Sequence, residues 1–357
     1  MKIKYIRPYI KEMPLTKPYT IAYSTMSDVA LVFLEIELEN GIIGMGSASP
    51  AESVVGENPQ QTLQNLETHF VQELIGRDIR HFRQIIFEVT RHFTHLPGTI
   101  AAIDIALHDA FAKYLGISVV DFYGRKIKSL PTSVTIGIMN PSQTLEEAEN
   151  YYQLGFKILK VKTGLNIEED IERILLLQER FKNNMIIRVD ANQGYSKEDL
   201  QKFIKATEKK PVELIEQPVP VGKESLISSM ETEVTQYIAG DESIKDASAA
   251  LTFCAVPKPF GIFNIKLMKC GGLLGAFSIA DIALNGGIEL FWGCNDESLL
   301  GITAALHAAY ACSNTRYIDL DGSFDLAEDL VTGGFSLSDG YMLINDQPGF
   351  GTHKIIS

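Results

Sequence analysis

The spacing of β-type segments after residue 130 constrains the fold more than any other feature of the chain. Short runs rich in β-branched and apolar residues alternate there with helical segments such as EEDIERILLLQERF. The candidate strands are SVTIGI, ILKVK, MIIRVDA, VELIEQ, QYIAGDE, FNIKLMK, IELFWGC and RYIDLDG. Such alternation predicts a parallel sheet, and eight repeats at a pitch of about 25–30 residues predict a (β/α)8-type barrel.

The first third of the chain has a different pattern. ALVFLEIELENGIIGMGSAS contains two strand-like runs around an ENG turn, which is typical of a hairpin. NPQQTLQNLETHFVQELIG and TIAAIDIALHDAFAKYLG have helical apolar spacing, and each ends at a glycine suited to a C-cap. Residues 17–28 and 47–59 are predicted to be loops. We therefore expect an α+β domain at 1–128, a barrel at 129–322 and a C-terminal segment at 323–357.

Composition and charge limit the classes of partner. The 357 residues are 45% hydrophobic and 22% charged, which is ordinary for a globular protein. The net charge of −13 disfavours nucleic acid and anionic membrane surfaces. The cysteines lack a CxxC pair, and neither a signal peptide nor a run long enough to span a membrane is evident. We expect a cytoplasmic protein in a reducing compartment.

Charged residues recur at the carboxyl ends of five consecutive candidate strands. In chain order they are Lys162, Asp190, Glu216, Asp241 and Lys266, spaced 25 to 28 residues apart. In barrels these strand ends meet at one mouth. A single acid at such a place is more often a helix N-cap, but three together repel one another unless a cation binds. Oxygen ligands without histidine favour Mg²⁺, with Mn²⁺ as a substitute.

Lys162 and Lys266 flank the acids and suit acid/base chemistry at the α-carbon of a carboxylate substrate. One amine would remove the α-proton and the other would return a proton to the opposite face, while the metal stabilises the developing charge. Lys160 shares a strand face with Lys162, although an isolated KVK more often faces solvent. We expect Lys160 to lower the pKa of Lys162 and to be a candidate contact for the substrate carboxylate. Lys269 has opposite strand parity to Lys266 and is predicted to be structural.

The motifs KVK, RVDANQGY, IEQP, AGDES and NIKLMKCGG, in this order, resemble the enolase superfamily, muconate-lactonizing subgroup. The resemblance spans nearly the whole chain. It implies a modified TIM barrel, (β/α)7β, with an N-terminal α+β capping domain and a last segment that returns to the cap. It also implies that Asp190, Glu216 and Asp241 bind Mg²⁺ and that Lys162 and Lys266 are the acid/base catalysts.

The stretch YIDLDG bears on the substrate. Asp319 and Asp321 are two residues apart at the end of the eighth strand, where a turn acid followed by a helix N-cap is an equally good interpretation. A D-x-D at this place resembles dipeptide epimerases, in which it holds the substrate's α-amino group. Thr135 and Asp296 resemble further substrate contacts of such enzymes. Thr135 also fits ordinary strand propensity, and Glu297 rather than Asp296 could face inward.

The first cap loop bears on specificity. Epimerases of L-Ala-D/L-Glu resemble one another in having a basic residue there, whereas KPYTIAYSTMSD has Lys17 only at its edge and Ser24 near that place. An adaptable, partly apolar wall could instead be formed by Tyr19, Ile21, Tyr23 and Met26. We therefore predict a dipeptide epimerase that inverts the C-terminal residue of L-Ala-D/L-Xaa dipeptides by 1,1-proton transfer. Its specificity would be broad, with L-Ala-L-Glu among the candidate substrates.

Two other classes stay open. The chain could be another enzyme of this superfamily: a strict L-Ala-D/L-Glu epimerase, a muconate cycloisomerase or an o-succinylbenzoate synthase. The latter two enzymes bind no ammonium group and therefore have no need of Asp319 and Asp321. It could also be a catalytically silent barrel that acts as a binding protein, although such a scaffold has no need of clustered like charges. The expected partners are a small dipeptide and further copies of the chain in a homo-oligomer.

Overall fold

The computed structural model describes residues 1–21, 24–210 and 212–355, without the side chains of residues 17–21, 24–26 and 53. The first elements are β1 (Ile3–Ile21), β2 (Ser24–Leu38), β3 (Ile43–Ala48), α1 (Glu52–Val55), α2 (Pro59–Leu66), α3 (His69–Gln72), α4 (Phe82–His92), α5 (Pro97–Leu115) and α6 (Val119–Tyr123), with a 3₁₀ turn at Ile79–His81. Among the described helices, here and in the rest of the chain, none is both long and apolar enough to cross a bilayer.

The N-terminal region, called the cap below, is an antiparallel sheet in the order β1-β2-β3 with helices packed on it. The predicted hairpin around ENG is confirmed as β2 and β3. Helix α5 is buried over most of its length, and it ends at Gly116 in the left-handed conformation, as predicted. A Cβ on Gly46 would lie 2.0 Å from the carbonyl oxygen of Ala102, so only glycine lets β3 approach α5 this closely.

Two predictions for the cap are wrong. Residues 17–28 are not a loop, because β1 and β2 continue through the described part of this stretch as a ribbon, with Tyr19 opposite Met26. Polar and aromatic residues occur in paired strands as well as in loops, so their presence does not distinguish the two. The helix predicted to end at Gly76 is divided into α2 and α3, since residues 67 and 68 interrupt it. The stretch 47–59 is mostly irregular but contains the one-turn helix α1.

The barrel follows the short strand β4 (Leu130–Pro131). Its elements are β5 (Ser133–Ile136), α7 (Pro141–Gln153), β6 (Ile158–Lys162), α8 (Ile167–Phe181), β7 (Ile186–Asp190), α9 (Lys197–Thr207), β8 (Ile215–Glu216), α10 (Ser225–Ser228), α11 (Thr232–Thr235), β9 (Ile238–Gly240), α12 (Ala247–Phe253), β10 (Ile262–Ile265), α13 (Leu267–Cys270), α14 (Leu273–Asn285), β11 (Glu289–Trp292), α15 (Leu299–Ala311) and β12 (Thr315–Ile318). All eight predicted strands are confirmed. Helices lie in each of the seven connections between them, as the (β/α)7β fold requires.

The strands form one parallel sheet in chain order from β5 to β12. A parallel bridge between Thr132 and Ile318 joins its two edges, so the sheet closes on itself. The strands are buried on both faces, as parallel strands covered by helices must be. In the register, Lys162 lies opposite Asp190, and Asp190 lies opposite Glu216. The strand ends therefore reach one level, which we call the mouth.

The C-terminal segment contains β13 (Val331–Gly333), β14 (Phe335–Ser338), β15 (Tyr341–Ile344) and β16 (Thr352–Lys354). Strand β15 pairs with β4, and the amide of Phe350 donates to Asp109 of α5 at 3.0 Å. The amide of Thr16 in β1 donates to the carbonyl of Asp325 at 2.8 Å. The segment thus contacts both the cap and the barrel. The domain limits 1–128, 129–322 and 323–357 remain predictions.

Candidate active site

The three carboxylates predicted to bind metal lie side by side at the mouth. Asp190 ends β7, Glu216 ends β8, and Asp241 directly follows β9. Their exposed fractions are 0%, 0% and 2%. The structure thus brings together the set that strand spacing predicted. Three buried like charges on adjacent strands are costly without positive charge nearby.

Lysine ammonium groups provide positive charge on both sides of the acids. Lys162 Nζ donates to Asp190 Oδ2 at 2.7 Å and to Asn192 Oδ1 at 3.0 Å. Lys266 Nζ donates to Asp241 Oδ2 at 2.9 Å. Since β6 and β10 lie on opposite sides of β7, β8 and β9 in the sheet, the two lysines flank the acids. The Lys162 side chain is 30% exposed, and that of Lys266 is 11% exposed.

The pKa values of the acids differ because their neighbours differ. Burial alone would raise the pKa of Asp190, but the adjacent lysines outweigh burial and hold it at about 2. In the same way, the neighbouring lysines hold the pKa of Asp241 well below its ordinary range despite burial. Burial and the charge of Asp190 together raise the pKa of Glu216 to about 8. Glu216 is thus the acid least compensated by protein cations.

The donor chemistry of these residues fits Mg²⁺. All three supply carboxylate oxygens, the ligand type this ion prefers. Glu216 Oε2 is buried and accepts no hydrogen bond within the described residues, although Lys160 Nζ is 2.9 Å away. Among the described residues, no group of three acidic, histidine or cysteine side chains is arranged to hold a metal ion, and ammonium groups contact oxygens of Asp190 and Asp241. Asp190, Glu216 and Asp241 would hold the ion once those contacts open.

Lys160 lies inside the barrel, below the mouth. Its Nζ is 2.8 Å from Asp319 Oδ2, 2.9 Å from Glu216 Oε2 and 3.2 Å from Asp190 Oδ2. Burial disfavours its charge, but these three carboxylates hold its pKa well above the ordinary value. The carboxylates of Asp190 and Asp319 offset the Lys160 charge, which weakens the repulsion expected to act on Lys162. The contacts of Lys160 support a structural role, in which its ammonium group joins the carboxylates of Asp190, Glu216 and Asp319.

The two acids of the D-x-D motif have different partners. Asp319 is engaged through both oxygens, since it accepts from Ser133 Oγ at 2.6 Å and from Lys160 Nζ at 2.8 Å. Asp321 Oδ2 accepts the backbone amide of Thr135 at 2.8 Å. Burial and the neighbouring Asp319 raise the pKa of Asp321 to about 7. Of the pair, Asp321 is the acid whose ionised form an incoming cation would stabilise more.

The loop after β11 holds the other acids singled out by sequence. Ser49 Oγ of the cap donates to the backbone carbonyl of Asp296 at 2.6 Å. Glu297 is 3% exposed, and its Oε1 accepts the amide of Asn295 at 3.1 Å. Burial raises the pKa of Glu297 to about 7. Asp296 is therefore the more exposed of the two, and which one faces substrate remains a prediction.

The side chains of the predicted specificity segment of the cap lie outside the described residues. Tyr23 lies outside the described residues, as do the side chains of Tyr19, Ile21, Ser24 and Met26. The roles predicted for these five residues therefore stay predictions.

Two neighbours of the acids were not assigned a role at the mouth by sequence reasoning. Lys269 Nζ donates to the carbonyl of Asp241 at 2.6 Å, to that of Asn264 at 3.0 Å, and also to Asp241 Oδ1. Asn264 Nδ2 donates to Glu216 Oε1 at 2.5 Å. Lys269 was expected only to be structural, whereas it orients an acid of the mouth. Asn264 precedes Lys266 by two residues, so the strand periodicity that relates Lys160 to Lys162 could have identified it.

Two family models match the chain. The model for the mandelate racemase / muconate lactonizing enzyme N-terminal domain matches residues 6–124, and the enolase C-terminal domain-like model matches residues 143–353. Together they cover most of the chain and both structural regions.

Individual relatives resemble the chain over nearly its full length. An L-Lys-D/L-Arg epimerase from Desulforapulum autotrophicum is 48% identical over 99% of this chain and 100% of its own. A structure of a dipeptide epimerase from Methylococcus capsulatus, complexed with Mg and L-Arg-D-Lys, is 43% identical with a TM-score of 0.96 and 99% coverage of both chains. A dipeptide epimerase from Enterococcus faecalis, complexed with Mg and L-Leu-L-Tyr, is 34% identical with a TM-score of 0.91 and the same coverage.

Proposed function

Since the chain belongs to the mandelate racemase / muconate lactonizing enzyme family of the enolase superfamily, we propose that it is a Mg²⁺-dependent dipeptide epimerase. One observation carries the proposal: Lys162 and Lys266 flank three buried carboxylates at the barrel mouth, each within hydrogen-bond distance of one of them. The relatives described above are named as epimerases, which supports the isomerase class.

The reaction would invert the α-carbon of the dipeptide's C-terminal residue. Asp190, Glu216 and Asp241 would hold Mg²⁺, which when bound offsets the charge of the substrate carboxylate and so acidifies the adjacent α-carbon. The amine of Lys162 or Lys266, in its neutral form, takes the α-proton from its own side. The other lysine, as an ammonium, gives a proton to the opposite face. The same two groups exchange roles when the epimer is the substrate.

Asp321 would recognise the amino end of the dipeptide. Its carboxyl group is mostly buried, and its Oδ2 is fixed by the amide of Thr135. A buried carboxyl whose pKa is raised is stabilised in its ionised form by a cation, and the substrate's α-ammonium group supplies one. Asp319 would act indirectly, because Ser133 and Lys160 already engage its oxygens.

We infer that the side chains of the preferred dipeptide are cationic. The relatives at 48% and 43% identity are, respectively, an L-Lys-D/L-Arg epimerase and an enzyme solved with L-Arg-D-Lys. The net charge of −13 would attract such substrates. Glu297 adds a buried carboxyl group near the mouth whose pKa is raised by burial, and a positive side chain would favour its ionised form. L-Ala-D/L-Xaa dipeptides, predicted from the cap loop, are the alternative substrate class.

A dipeptide panel in ²H₂O with Mg²⁺ tests both levels of the proposal. The panel would contain L-Lys-L-Arg, L-Arg-L-Lys, L-Ala-L-Glu and L-Ala-L-Leu, with mass increase and epimer formation as readouts. We expect kcat/KM for the cationic dipeptides to exceed that for the L-Ala dipeptides by about tenfold or more. Equal or better use of L-Ala dipeptides would favour the alternative specificity. Lack of exchange in every dipeptide would refute the epimerase proposal, and a double variant that combines Lys162→Ala with Lys266→Ala supplies the background rate.

A further inference from the structure

The proposed base Lys266 begins a tightly hydrogen-bonded turn. The carbonyl of Lys266 accepts the amide of Lys269 at 3.0 Å and that of Cys270 at 3.3 Å. The amide of Gly272 then donates to the carbonyl of Leu267 at 2.9 Å. Helix α14 starts at the next residue, Leu273. The backbone position of Lys266 is thus linked, within seven residues, to the start of α14.

The N-terminus of α14 is capped by a residue of another region. Its own N-cap position is Gly272, which has no side chain to accept a hydrogen bond. Asp104 of α5 supplies the acceptors instead: Oδ1 accepts the amide of Leu273 at 2.7 Å and Oδ2 accepts that of Leu274 at 3.2 Å. Asp104 is fully buried. A carboxylate at this end also interacts favourably with the helix dipole.

Helix α5 approaches the turn at Gly272 closely, and neighbouring side chains hold Asp104 at this contact. A Cβ on Gly272 would lie 2.5 Å from both Cβ and Cγ of Asp104, and the φ of Gly272 is +91°. Behind Asp104, His108 Nδ1 is 2.7 Å from the Asp104 backbone carbonyl oxygen and 3.1 Å from Asp104 Oδ1, and His108 Nε2 is 2.7 Å from Tyr123 Oη. The imidazole of His108, held by Tyr123, therefore lies against the Asp104 carboxylate and limits its rotation.

We propose that Asp104 of the cap is a positioning residue for Lys266, acting through the start of α14. This inference rests on the proposed function, since it concerns one of the two bases of the epimerisation. Lys162 ends β6, which three strands separate from β10 in the sheet, and its hydrogen-bond partners Asp190 and Asn192 belong to a different barrel unit. Loss of the Asp104 contacts should consequently displace one base and leave the other in place.

The test compares α-proton exchange from the two epimers of one dipeptide in ²H₂O. Lys266→Ala first identifies the epimer whose exchange depends on Lys266. Asp104→Asn keeps the shape of the side chain, but its Nδ2 cannot accept an amide hydrogen and its negative charge is lost. We expect Asp104→Asn to slow exchange of that epimer about 10- to 100-fold, as displacement of a reacting group does. Exchange of the other epimer should change by less than about threefold.

Asp109 provides a matched control on the same helix. It is also fully buried and accepts amides from two other segments, those of Met45 at 2.9 Å and Phe350 at 3.0 Å, and none of its hydrogen bonds among the described residues reaches the Lys266 turn. Asp109→Asn should lower the melting temperature without distinguishing the two epimers. A general loss of cap stability would therefore appear in both variants, whereas asymmetry should appear only in Asp104→Asn.

The outcomes separate this inference from the proposed function. Equal slowing of both epimers, or unchanged rates in folded Asp104→Asn, would overturn the role of Asp104 while wild type and Lys266→Ala behave as expected. If wild type exchanges neither epimer, the epimerase proposal itself fails. Should Asp104→Asn not fold, His108→Gln removes the imidazole that lies against the Asp104 carboxylate and keeps Asp104 itself, and it should produce the same asymmetry to a smaller extent. Symmetric rates in folded His108→Gln would count equally against the inference.

Discussion

Replacing Asp321 by asparagine should separate recognition of the substrate's amino group from the rest of catalysis. Asn Oδ1 can still accept the amide of Thr135, which Asp321 accepts at 2.8 Å, so the local backbone should be retained. The lost element is the negative charge of a side chain that is 9% exposed. Losing one partner of such a buried charge pair costs roughly 2–5 kcal/mol, which is about thirty-fold to several thousand-fold in kcat/KM.

The raised pKa of Asp321 adds a pH dependence to this prediction. With a pKa of about 7, the carboxyl group is neutral below that pH and cannot attract the α-ammonium group. The free energy needed to ionise it rises by roughly 1 kcal/mol for each pH unit below this pKa. The wild-type kcat/KM should therefore fall about tenfold from pH 8 to pH 6 through this group. The corresponding fall should be absent in Asp321→Asn.

A cycle with N-acetylated substrate supplies the assay. N-acetylation removes the substrate charge, so wild-type enzyme should lose most of its kcat/KM, whereas Asp321→Asn should lose little more. Non-additivity of the two changes measures the interaction directly. If acetylation reduces kcat/KM by the same factor in both enzymes, Asp321 does not bind the α-ammonium group.

Three further predictions concern the metal, its surroundings and stability. EDTA should abolish epimerisation and Mg²⁺ or Mn²⁺ should restore it; turnover by protein verified to be metal-free would contradict the metal assignment. Lys269→Met, which removes the contacts to Asp241, should weaken Mg²⁺ binding about 10- to 100-fold by calorimetry, and unchanged affinity would refute that orienting role. Burial lowers the pKa of His307 to about 3, so wild type should lose stability below about pH 6.5, by about 2 kcal/mol at pH 5. His307→Asn should lack this loss in urea unfolding, and equal pH dependence would show that His307 does not cause it.

The barrel could be predicted from sequence because its period is long and its strands are chemically distinct. Lys162, Asp190 and Glu216 each end a strand, and parallel strands of one barrel must bring their ends to one mouth. Their grouping follows from topology and needs no knowledge of side-chain conformation. The grouping of the proposed metal ligands is therefore predictable from sequence alone.

Contacts between distant segments could not be predicted in this way. The engagement of Asp319 by Ser133 depends on the closure of the first strand against the last, which strand patterns do not specify. Asp104 lies in a nearly uniform apolar helix, so its contact with α14 has no local signal. The described residues of the stretch 17–28 form a ribbon where local sequence predicts a loop, because strand pairing, rather than local propensity, determines their conformation.

The position of isotope incorporation tests the central claim most directly. L-Lys-L-Arg would be incubated with wild-type enzyme and Mg²⁺ in ²H₂O, and deuterium would be located by NMR at each α-carbon. Deuterium only at the α-carbon of the C-terminal residue, together with formation of L-Lys-D-Arg, is the predicted result. Deuterium at the N-terminal α-carbon, or exchange without any epimer in a fully active preparation, would contradict the two-base reaction proposed for Lys162 and Lys266.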